Sequence, residues 1–187
     1  MRPFAILAAA AFMLSGCQSV VGALSTPVPN IGPCPAALSL YDAHRIVQLE
    51  GGEVRYENVG FTGEILAVRS LCSYSGERPI LANLELDMGF GRGPAAVGES
   101  HTYEYFVAVT RRDTAVIAKE VFPVTVRFNA GQDRVFRTET IDAISIPRAN
   151  ADTSGINFEI LVGFELTPEE LAFNRSGQRF RVGAGQD

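Results

Sequence analysis

The strongest constraint on this chain is a two-residue period in its apolar side chains. Ile80, Ala82, Leu84, Leu86 and Met88 alternate with Asn83, Glu85 and Asp87. Ile156, Phe158, Ile160, Val162, Phe164 and Leu166 repeat the pattern around Asn157, Glu159 and Glu165. Successive side chains of a strand face opposite sides, so this period builds strands with one dry face and one wet face. Weaker alternation runs through 44–50, 63–73, 102–110, 114–128 and 134–146, separated by turn-forming sets such as Glu50-Gly51-Gly52, Ser75-Gly76-Glu77 and Asn129-Ala130-Gly131. Seven or eight strands are expected. Pro123 cannot donate to a central ladder, so 114–128 is expected as an edge strand, or as two strands broken by a bulge.

Many short strands with almost no helical period favour two packed antiparallel sheets. The expected class is all-β, an antiparallel β-sandwich resembling immunoglobulin and fibronectin type III domains. That resemblance is architectural only, because the spacing of Cys34 and Cys72 is not that of the immunoglobulin bridge and the chain has no tryptophan. A closed β-barrel has the same strand signature and is the alternative. The one helical signal is Thr167-Pro168-Glu169-Glu170-Leu171-Ala172-Phe173, with threonine to cap, proline at the first helical position and Glu170 completing a capping box. It predicts a short helical turn near the C-terminus, with Leu171 and Phe173 folded over an open end of the sandwich.

The amino terminus carries a different signal. Arg2 is followed by an apolar run from Phe4 to Leu14, the layout of a signal peptide and well short of the roughly 20 residues a membrane-spanning helix needs. Leu14-Ser15-Gly16-Cys17 resembles the lipobox of bacterial lipoproteins. The resemblance implies cleavage before Cys17 and lipidation of Cys17, whose acyl chains would hold the protein to a membrane. Each buried methylene contributes about 0.8 kcal/mol, so two or three chains anchor stably. By resemblance to enterobacterial lipoproteins, Gln18 after the cysteine implies the outer membrane, facing the periplasm. The expected organisation is a signal peptide over 1–16, the lipidated cysteine and a proline-bearing tether over 17–33, one β domain over 34–182 and a frayed tail over 183–187.

Export to an oxidising compartment leaves Cys34 and Cys72 as an even pair, and a disulfide between them is expected, with two buried free thiols as the alternative. The net charge of −5 becomes −6 without Arg2, and the arginines form no basic stripe, so nucleic acid is not an expected partner.

Motifs for chemistry are sparse. His44 and His101 lack any spacing that would make them metal ligands, and no nucleophile elbow or phosphate loop is present, so neither a metal nor a cofactor is expected. The glycines of Gly89-Phe90-Gly91-Arg92-Gly93-Pro94 do not open a helix after a parallel strand, which a dinucleotide fingerprint requires. Residues 89–100 instead suggest a mobile loop, with Phe90 and Arg92 as candidate contact residues. Tyr103, Tyr105, Val107 and Val109 keep the alternation of an inward face. Three functions are compatible with the sequence. The first is a non-enzymatic binding or assembly module of the cell envelope, anchored through Cys17 and meeting another envelope protein. The second is an envelope enzyme whose groups, Glu64 and Asp142 among the candidate acids, converge only in three dimensions. The third is a carrier of an apolar ligand inside a barrel.

Overall fold

The computed structural model describes residues 32–51, 53–112 and 114–180. The signal segment, Cys17, most of the tether and the tail over 183–187 lie outside the described residues. Eight strands and one helix follow in the order β1 (Ala36–Ser39), β2 (Arg45–Leu49), β3 (Val59–Ser73), β4 (Ile80–Arg92), β5 (Ser100–Arg111), β6 (Ala115–Arg127), β7 (Arg134–Ile146), β8 (Phe158–Phe164) and α1 (Pro168–Arg175). They form two four-stranded sheets, β1-β8-β5-β6 and β2-β3-β4-β7. The chain is therefore a β-sandwich. The barrel alternative fails because β1, β6, β2 and β7 all remain sheet edges.

The alternation drives this arrangement. Ile80, Ala82, Leu84, Leu86 and Met88 are each 1% exposed or less, while Glu85 and Asp87 face solvent from the same strand. Across the interior, Tyr103, Tyr105, Val107 and Val109 of β5 and Phe158, Ile160, Val162 and Phe164 of β8 are all buried, as the inward reading of β5 required. All strand pairs are antiparallel except β1 with β8, which is parallel. The four residues of β1 are too few to carry a period, so the sequence pattern does not reveal that strand. β6 is an edge strand, as Pro123 required, and runs unbroken past a register shift at its start.

Cys34 and Cys72 form a disulfide with a Cα–Cα distance of 5.6 Å. It ties the segment leading into β1 of one sheet to β3 of the other. Beside it, the Tyr74 hydroxyl donates to the Pro33 carbonyl at 2.7 Å and accepts from the Gly155 amide at 2.8 Å. A Cβ on Gly155 would stand 2.6 Å from both the Pro33 oxygen and the Tyr74 hydroxyl, so only glycine allows this approach. Arg148 lies over the Tyr74 ring and donates to the carbonyls of Arg78 and Ala151, joining the β3–β4 turn to the loop before β8.

The helix forms as its signals required. The Thr167 hydroxyl accepts from the Glu170 amide at 3.2 Å, and the Glu170 carboxylate accepts from the Thr167 amide at 2.8 Å. Asn174 then donates to the carbonyls of Asp42 and Arg45, each at 2.8 Å, which sets the helix beside the outer edge of β2.

Candidate functional site

The contact loop expected around Phe90 and Arg92 is corrected by the structure. β4 does not stop at Gly89 but continues to Arg92, and Phe90 keeps the inward parity of Met88. Its side chain is 0% exposed and packs against Tyr103 at a ring-centroid distance of 4.6 Å. Gly89 is a strand residue on the outer face, where a Cβ would stand 3.2 Å from the Phe136 ring and 3.4 Å from the Leu66 side chain. Gly89, which has the signature of a turn, is thus a site of close approach within a sheet. Arg92 is exposed, but its Nε donates to the Gly98 carbonyl at 3.1 Å. Gly93 is pressed onto the start of β3, donating to the Gly60 carbonyl at 2.7 Å.

The titratable candidates do not gather. Glu64 pairs with Arg45 at 3.1 Å and lies apart from Asp142, which lines a groove of about 580 Å³ on the outer face of β3, β4 and β7. His44 takes its place in a turn, its Nδ1 against the Tyr41 carbonyl. His101 stacks on Phe61 and meets Tyr103 edge-on, with centroid distances of 4.6 and 4.5 Å. Its Nε2 is buried without a hydrogen-bond partner among the described residues, and burial holds the imidazole pKa below its usual value. The hydroxyl of Tyr105 is pushed up to about 12 by burial and by the Glu139 carboxylate. The densest polar cluster is a surface network in which Arg69 donates to Glu85 and Asp87, and Thr138 donates to Asp87 at 2.8 Å. Those hydrogen bonds, the one from Arg69 first, hold the Asp87 carboxyl below the ordinary carboxylate range. Among the described residues no set of three His, Cys, Asp or Glu side chains is placed to hold a metal ion.

Both outer faces carry exposed apolar side chains. On the β2-β3-β4-β7 sheet Leu66, Leu71, Leu81 and Phe136 stand among Arg69, Asn83, Glu85, Asp87, Thr138 and Thr140. On the β1-β8-β5-β6 sheet apolar residues stand among Glu104, Lys119, Glu159 and Glu165. Register places Leu38, Leu161, Ala108 and Lys119 in one row across it. Phe106 and Val121 pair in the next row, with Val116 at the edge. Leu38 is 40% exposed, Val121 43% and Val116 64%. Of the charges on this face, Lys119 pairs with Glu165 at 2.7 Å and Glu159 with Arg112 at 3.2 Å, while Glu104 is exposed and in no ion pair among the described residues. Lys119 also sits 4.6 Å over the Phe106 ring. The face continues into a groove of about 520 Å³ lined by Leu40, Tyr41, Phe106, Leu166 and Leu171, with the Tyr41 side chain 84% exposed at its mouth. An antiparallel sheet in water normally keeps one polar face, and a contiguous apolar surface marks an interaction site.

The side edge where β6 overlies β7 is built differently. Glu120 lies opposite the buried Val107, while Arg137 and Glu139 lie opposite the buried Met88 and Leu86. All three charges therefore stand on the inner faces of edge strands, a device that blocks pairing with a further strand.

No protein-family model, no curated protein and no solved structure matches the chain.

Proposed function

We propose that the chain is a lipid-anchored protein of the cell envelope, held through Cys17 and acting as a non-enzymatic binding or assembly module. The outer membrane, with the domain facing the periplasm, is the location that Gln18 supports by its resemblance. The observation that carries the binding role is the run of exposed apolar residues on the outer face of the β1-β8-β5-β6 sheet, Leu38, Val121 and Val116, together with the adjoining groove lined by Leu40, Tyr41 and Phe106. Leaving that surface in water costs roughly 25 cal/mol per Å², so covering it favours association. The partner in this reading is another envelope protein that presents its own apolar surface. The tether between Cys17 and Pro33 would let the domain search for it, because sixteen residues reach about 50 Å when extended.

Two measurements test the two halves of the proposal. Mass spectrometry of the protein from its native membrane should show the diacylglycerol adduct on an amino-terminal Cys17; an unmodified thiol behind an intact Met1 would refute the anchor. Crosslinking in envelopes should capture a defined partner that is lost in Leu38→Lys/Val121→Lys, a substitution on exposed positions that leaves the core alone. Unchanged capture by that variant would refute the face.

A further inference from the structure

We draw no further inference here: the strongest candidate, the groove of about 580 Å³ that Arg69, Leu71, Asn83, Glu85, Thr140 and Asp142 line on the outer face of β3, β4 and β7, is an open sheet face, and nothing in the structure shows what covers it.

Discussion

Opening the Cys34–Cys72 bridge is the perturbation whose size the structure fixes best. The bridge is separated by 38 positions in sequence, so it closes a loop of 39 residues that the unfolded chain must keep closed. The chain-entropy relation gives about 4 kcal/mol at room temperature for a loop of that length. The folded state keeps a second hold on the same segment, because Tyr74 bonds to Pro33 and Gly155 whether or not the sulfurs are joined. Reduction should therefore lower stability without releasing β1 from β8. The assay is urea unfolding of the oxidised chain, the reduced chain and Cys34→Ser/Cys72→Ser, each alone and combined with Tyr74→Phe. Tyr74→Phe should cost about 1 to 3 kcal/mol by leaving the Gly155 amide unpaired. Combined with reduction it should cost less than the sum, because a freed entry segment lets water reach that amide. A loss below about 1 kcal/mol on reduction, with an unchanged denaturant slope, would refute the entropic reasoning. Strict additivity would refute the shared anchor.

Phe90→Ala should destabilise the fold by about 3 to 5 kcal/mol, measured by the same denaturation; a change under 0.5 kcal/mol would mean an exposed residue. Ala143 has a φ of +58° in the β7 bulge, where its amide donates to the Asn83 side chain at 3.0 Å. Ala143→Gly should raise stability by about 0.5 to 1 kcal/mol through relief of that conformation, seen as a higher unfolding midpoint. Burial lowers the pKa of His101, so its folded pKa lies below its unfolded one and the unfolded chain binds the extra proton first. Stability should be full above about pH 6.5 and fall as pH drops below it, and His101→Phe should flatten that slope in pH-dependent melting.

Much of the fold is legible in the amino-acid pattern. Strands β3 to β8 each rest on alternation within their own segment, and Thr167, Pro168 and Glu170 specify a helix start through contacts three residues apart. The errors fall where local pattern and tertiary packing use the same residue for different ends. Gly89 and Gly91 carry the signature of a turn, yet Gly89 is a strand position that leaves room for Phe136 and Leu66. β1 has too few residues to show a period, and its parallel pairing with β8 is visible only once both strands are placed. Likewise Ile156 continues the alternation of β8 in sequence but is 52% exposed in the turn that precedes the strand.

The candidate surfaces are less legible than the core, for a physical reason. Period-two patterning tells which side chains share a face of one strand, because neighbouring residues set it. The sequence alone therefore determined a two-faced β architecture and a capped helix, and pointed to the pairing of Cys34 with Cys72. Apart from β6, which Pro123 marks, it did not determine which strands become edges, since that depends on which strand lies beside which. Only the tertiary structure gathered Leu38, Leu161, Phe106 and Val121 from four strands onto one outer face, and set α1 beside β2, more than a hundred residues away in sequence. Hydrophobic burial is non-directional and cares for composition, whereas edges and grooves are properties of adjacency, which the chain acquires only by folding.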